Sequence, residues 1–305
     1  MTRRAVVIGM ISVATIGMAS CSKAVQSSIA VDKAFTRLIS ADTTMLAGAD
    51  LEGLKSSPLY AKYKGELHLR DLDEFSQQFG VDPRRDISQL LYVTDETRGY
   101  LLARGTFRTR ELERKLQEKG LKPTQYKSIN LFGDARNSLA LLKGSVLVMG
   151  SANAVRAAID TEDGGRGEVP EEIADRLRSI PKADQVWFVS RNGLPFASAA
   201  NRTDIQSALS NIVGFVRMAT GSLRVDTGVR LKADFGCNSA DGATRVHDGL
   251  RAAVAIGRLS TKDNETSLLN IYDAVHIEQK ESTVRANAEL TGGQVDELVS
   301  RFGKR

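Results

Sequence analysis

The chain has 305 residues, enough for two ordinary domains, and a composition of 42% hydrophobic and 26% charged residues fits a packed globular protein rather than a disordered one. Its only long uncharged apolar run lies at the very start, which excludes a multi-span membrane protein. The formal net charge of +5 is a mild excess in which basic residues alternate with acids; without an aromatic-rich basic stretch, nucleic acid is not an expected partner.

Residues 1–20 have the form of a secretory signal peptide, with Arg3-Arg4 ahead of the apolar run Ala5–Met18 and the small residues Ala19 and Ser20 before Cys21. The cationic head stays on the cytoplasmic side while the apolar run enters the membrane. Met18-Ala19-Ser20-Cys21 resembles the bacterial lipobox, with Met18 where Leu is commonest. The resemblance implies diacylglycerol attachment to the Cys21 sulfur, cleavage before Cys21, and acylation of the freed amine by palmitate or a similar fatty acid. Several chains matter because one alone binds membranes with an association constant on the order of 10⁴ M⁻¹. A plain cleaved signal with a coincidental cysteine, or an uncleaved anchor helix over Ala5–Ser22, are the alternatives. Lipidation of Cys21 leaves Cys237 alone, so no intrachain disulfide can form. Ser22 in place of Asp after the cysteine favours the outer membrane by the sorting rule of some Gram-negative lipoproteins. The expected location is the bacterial cell envelope, lipid-anchored and facing the periplasm or the exterior.

Residues 21–40 read as a polar tether, Ser22–Ser28, running into a short helix near Val31–Ile39. A first α+β half over 41–160 opens with a strand at Thr44–Asp50. Ser57-Pro58 starts a helix, with Pro tolerated at the first position, and Leu72–Phe79 continues helical to the stop at Gly80. Strands Gln89–Thr94 and Gly99–Phe107 flank the turn Asp95–Arg98. Thr109 is the expected cap of a helix over Arg110–Lys119. Strands at Thr124–Leu131, Ser138–Leu142 and Ser145–Met149 follow, and Ser151 caps a helix through Asp160.

Residues 161–180 read as linker and helix: the glycines at 164, 165 and 167 mark a boundary before Glu171–Ser179. The second α+β half, 181–305, begins with a strand at Gln185–Val189. Thr203 and Gln206 match a capping box, with Ile205, Leu209, Ile212, Val213 and Val216 on one helical face. Val229–Cys237 alternates strictly, as a one-sided antiparallel strand does. Helices at Ala240–Leu259 and Thr266–Ala274, a hairpin of His276–Lys280 and Thr283–Leu290, and a helix at Gln294–Phe302 complete the chain. The expected fold is α+β, in two similar halves that each form a mostly antiparallel sheet covered by helices.

The sequence offers no catalytic, cofactor-binding or metal-binding residue set. His68, His247 and His276 lie far apart without a second ligand at metal spacing, and no nucleophile elbow or phosphate-binding loop occurs. Asp71, Asp73 and Glu74 fit the first turn of a helix, where acids complement the dipole, and Asp82–Asp86 reads as a self-paired charged turn. Asn238–Gly242 is only a loose match to a calcium loop. Cys237, on the apolar side of its strand, is expected to be a buried, unreactive thiol.

Phe79–Asp86 leading into a strand, and Val148–Ser151 leading into Ala154–Asp160, are similar to segments of envelope lipoproteins of unknown function, over about residues 40–300. That resemblance implies no activity. The expected function is a membrane-anchored, non-enzymatic binding or scaffold module, with the membrane as partner through Cys21 and an envelope protein, lipid or polysaccharide as further partner. A carrier of lipid or another apolar ligand, held against small residues such as Ala233, Ala286 and Ala288, is the alternative. An enzyme with a site assembled from distant residues is the weaker one, and a polar pocket holding several converging carboxylates or His276 would raise it.

Overall fold

The structure is a computed structural model and describes residues 27–65, 73, 76, 77, 81–143, 145–194 and 211–302. Cys21, His68, Asp71, Glu74, the helix expected over Leu72–Phe79 (apart from residues 73, 76 and 77) and the capping box at Thr203 and Gln206 lie outside them.

Helix α1 (Lys33–Thr36) starts where the Asp32 carboxylate accepts from the Ala34 N–H. Strand β1 (Met45–Asp50) runs straight into α2 (Leu51–Lys55), which Asp50 caps through the Gly53 N–H and which the sequence reading lacks. Ser57 caps α3 (Pro58–Tyr63) as expected. A one-turn helix α4 (Pro83–Asp86) leads into β2 (Ile87–Thr94) and β3 (Gly99–Gly105). Helix α5 (Thr109–Glu118) begins at Thr109 itself, with Arg108 at the cap position and no side-chain cap bond, so Thr109 is the first helical residue and not the cap.

The expected strand Thr124–Leu131 is a hairpin, β4 (Pro123–Tyr126) and β5 (Ile129–Gly133). Lys127 and Ser128 both take positive φ, 45° and 65°, and close it as a two-residue turn between the paired Tyr126 and Ile129. Strands β6 (Ser138–Leu142) and β7 (Val146–Gly150) precede α6 (Ala152–Asp163), capped by Ser151 and three residues longer than expected. Helix α7 (Glu171–Leu177) and β8 (Val186–Ser190) follow. Strand β9 (Val216–Val225) is absent from the sequence reading, which put Val216 on a helix. Strand β10 (Val229–Cys237), helices α8 (Ala240–Leu259) and α9 (Thr266–Asp273), strands β11 (Val275–Lys280) and β12 (Thr283–Leu290), and α10 (Gly292–Phe302) agree with it within a residue or two.

The fold is α+β. Where the sequence suggests a sheet in each half, one antiparallel sheet of twelve strands runs through the described residues, in the order β11-β12-β10-β9-β8-β1-β2-β3-β7-β6-β5-β4. The strands of the first half meet those of the second at the β1–β8 pair, in register from Met45–Ser190 to Ala49–Val186. Alternation along the strands gives the sheet two faces. One face, over β1–β3 and β5–β8, is covered by α1, α6 and α7, whose Phe35, Val155, Ile159, Ile173 and Leu177 meet Leu91, Leu102, Val148 and Val189. The Tyr100 hydroxyl donates to the Leu38 carbonyl at 2.6 Å and ties the segment after α1 to that core. The opposite face carries α5 over Ala103, Phe132 and Leu147, and α8 over Ala219, Phe235 and Val284. Each large side chain so buried contributes about 1.5–3 kcal/mol.

Candidate functional site: an open polar sheet face

In the second half of the sheet, α8 covers one face, and among the described residues no helix covers the other. Phe235 and Ala233 of β10 pack beneath α8, so Arg230, Lys232 and Asp234, alternating with them, point the opposite way. Register extends this into rows across four strands. Ser222, Lys232, Asn287 and His276 form one row, and Thr220, Asp234, Arg285 and Glu278 the next. Trp187 stands opposite Ser222 and marks where the polar surface passes into the apolar core covered by α6 and α7.

These rows floor an open basin of about 770 Å³, with Ser179, Ile180 and Pro181 from the turn after α7 as its rim. Cross-strand ion pairs organise the floor. Arg230 Nη2 donates to Glu289 Oε1 at 2.9 Å, and Arg285 Nε to Asp234 Oδ1 at 2.6 Å. The first bond holds the Glu289 carboxyl below the usual range and raises the Arg230 guanidinium. Asp184, only 5% exposed, accepts from the Ser222 hydroxyl at 2.7 Å. Lys232, at the centre, has no acidic partner within ion-pair distance among the described residues. The surface is therefore a set of fixed donors with its basin acids already engaged, suited to bind polar or anionic groups. Glu289, held ionised, is not poised as a general acid.

The sequence-derived candidates fall as follows. His276 lines the basin opposite Asn287, as the enzyme reading asks, but the basin carboxylates Asp234 and Glu289 are taken up by Arg285 and Arg230. His247 lies on α8 with Nδ1 2.9 Å from Asp248 Oδ1. Cys237 faces the α8 cluster as expected but is half-buried instead of buried, and burial pushes its thiol pKa up. Asp73 and Asp82 both pair with Arg84, at 2.6 and 3.0 Å. Ser239 caps α8 through the Gly242 N–H, so the Asn238–Gly242 turn has a structural task. Among the described residues no group of three or more His, Cys, Asp or Glu could hold a metal ion. Ala233 and Ala286 pack against the cluster containing Val246 of α8, which fills the space an apolar ligand would need there. The basin itself escaped the sequence reading. Alternation in β10 was visible, but its neighbour β9 was not, and register is a long-range property.

No protein-family model matches the sequence, and no curated protein matches it. Among solved structures the chain is similar to TP0453. Its crystal form III aligns with a TM-score of 0.51 at 8% sequence identity, covering 89% of this chain and 98% of that one. Crystal forms I and IV give 0.49 and 0.48, also at 8% identity. At that identity the likeness is one of fold alone.

Proposed function

We propose that the protein is a lipid-anchored bacterial envelope lipoprotein that acts by binding rather than catalysis. The observation that carries this reading is Met18-Ala19-Ser20-Cys21 at the end of a basic-headed apolar run. Among the described residues no helix is long and apolar enough to cross a membrane, and the broad polar basin, its acids engaged by arginines, gives the binding surface. Membrane fractionation with mass spectrometry of the N-terminal peptide tests it. The wild type should partition into detergent with acyl mass on Cys21, and Cys21→Ala should lose both. An unmodified Cys21 with the partition of Cys21→Ala unchanged would overturn the reading.

We further infer that residues 41–160 and 181–305 are variants of one unit, with 161–180 joining them. Supporting this is the strand order outward from the β1–β8 pair: β1-β2-β3-β7-β6 on one side and β8-β9-β10-β12-β11 on the other, with β5 and β4 as additions to the first. An experimental structure with a different order in either set would remove the inference.

A further inference from the structure

We propose that the open face of β9, β10, β12 and β11 rests against the anionic headgroups of the bilayer that holds Cys21. This rests on the lipid anchor proposed above. The occupant follows first from where the described residues nearest Cys21 are held. Ser27 is held at the basin rim: its carbonyl accepts from the Lys182 N–H at 2.8 Å, Ser28 bridges Pro181, and the Ile29 N–H donates to Ile180. Ile180 and Pro181 are themselves part of that rim. Cys21 lies six residues before Ser27, and six extended residues reach roughly 20 Å. Six residues thus keep the anchor within roughly 20 Å of that rim. Ile29 and Val31 pack on the cluster that contains Trp187 and Val189, so the first described residues lie on the face that carries the basin and not on the face under α8.

Charge gives the second argument. Asp234 and Glu289 are neutralised by Arg285 and Arg230. Glu278 stands opposite Arg285 in the register, and Asp184 is turned to Ser222. Lys232 at the centre, Lys182 beside the tether and Lys280 at the end of β11 have no acidic partner within ion-pair distance among the described residues. Asp184 and Glu278 keep their charge, so the five cations Arg230, Lys232, Arg285, Lys182 and Lys280 stand against the four acids Asp184, Asp234, Glu278 and Glu289, and a surface with this small surplus is drawn to an anionic leaflet over about a Debye length. The basin's Arg, Lys, Asn and Ser side chains supply the donors that phosphate oxygens accept. Among the described residues the exposed large apolar side chains, Tyr92, Leu231 and Leu259, do not line the basin, so the proposed contact is with the headgroups.

The test uses the full lipidated protein purified from membranes and reconstituted in phosphatidylcholine vesicles with and without phosphatidylglycerol. In a Cys237→Ser background a fluorophore is placed at Asn287→Cys, in the basin, or at Arg251→Cys, on the exposed side of α8. Headgroup-nitroxide lipid is the quencher. Quenching should be severalfold stronger at 287 than at 251, and stronger again with phosphatidylglycerol. Lys182→Glu with Lys232→Glu should bring 287 down to the level of 251, since each lysine near an anionic surface is worth roughly fivefold in binding. Both lysines are exposed, so reversal leaves the fold intact. Equal quenching at both positions, or no response to charge reversal, in protein that carries acyl mass on Cys21 and pellets with vesicles, overturns this inference alone. Unmodified Cys21 in protein that does not pellet overturns the lipid anchor, and this inference falls with it.

Discussion

Gly48 and Trp187 face each other across the β1–β8 pair, where the strands of the two halves meet. A Cβ at position 48 would sit 2.3 Å from Trp187 Cζ2 and 2.4 Å from Cε2, and the indole, 8% exposed, has core side chains behind it. Gly48→Ala should therefore cost about 1–3 kcal/mol by overpacking, read as a lower urea midpoint. It should also shift the emission of Trp187, the only tryptophan; an unchanged midpoint would refute the close approach. A second residue-scale prediction concerns pH. Asp160 of α6 takes the Lys127 ammonium at 2.7 Å and the Tyr126 hydroxyl at 2.9 Å, and the hydrogen bond from Lys127 is the main reason its carboxyl lies below the usual range. A folded-state pKa below the unfolded one contributes stability above the unfolded value of about 4 and loses it as pH falls through the folded value. The carboxylate is 43% exposed, so Asp160→Asn should cost less than about 1 kcal/mol at neutral pH. The difference from wild type should shrink to nothing in acid, and urea titrations at neutral and acid pH measure it.

At the scale of elements, the same hairpin shows where the sequence is silent. Lys127-Ser128 lacks the Asn-Gly or Asp-Gly pair that announces a two-residue turn, so Thr124–Leu131 reads as one strand although the chain reverses within it. The missing signal has an energetic counterpart. A non-glycine residue at positive φ costs roughly 1–2 kcal/mol, and glycine gives back about half of that in unfolded-chain entropy. Ser128→Gly should thus stabilise by about 0.5 kcal/mol, seen as a higher melting temperature. In α8 the opposite conflict arises. Helix propensity alone favours Gly257→Ala by about 1 kcal/mol, yet a Cβ there would lie 2.5 Å from Tyr272 Cε1 of α9. Packing should win, and the variant should be less stable than wild type by chemical denaturation; a gain would mean that α9 yields. Elements that carry their own local signal were legible: the alternation of β10, the extent of α8, and the Ser57 and Ser151 caps. Strand β9 was not, because it runs Ala219-Thr220-Gly221 buried in succession and needs Gly221 to admit the Phe188 ring. Those are properties of a neighbour it meets only in the folded sheet.

At the scale of the whole molecule, the same non-locality decides how the chain unfolds. Composition and element order point to two halves, and two independent domains would melt separately. The structure places a shared sheet and a shared core at their junction. Leu46, Leu91 and Leu102 from β1–β3 lie in one cluster with Trp187 and Val189 of β8, and with Ile173, Leu177 and Ile180 from the segment that reads in sequence as a linker. Splitting the halves would expose that cluster and break the five-residue β1–β8 register, leaving two unpaired edges in the middle of the sheet. At about 1.5–3 kcal/mol for each large buried side chain, exposing even half of these residues costs as much as the 5–15 kcal/mol that a typical protein has in total. Neither half should persist once the other is lost. Urea unfolding followed by Trp187 emission, which senses the junction, and by far-UV circular dichroism, which senses all elements, should therefore give one coincident transition. Gly48→Ala should move both curves together. A circular dichroism change that continues after the tryptophan signal is complete would mean that a half stands alone, and that the junction is a contact between domains rather than the middle of one fold.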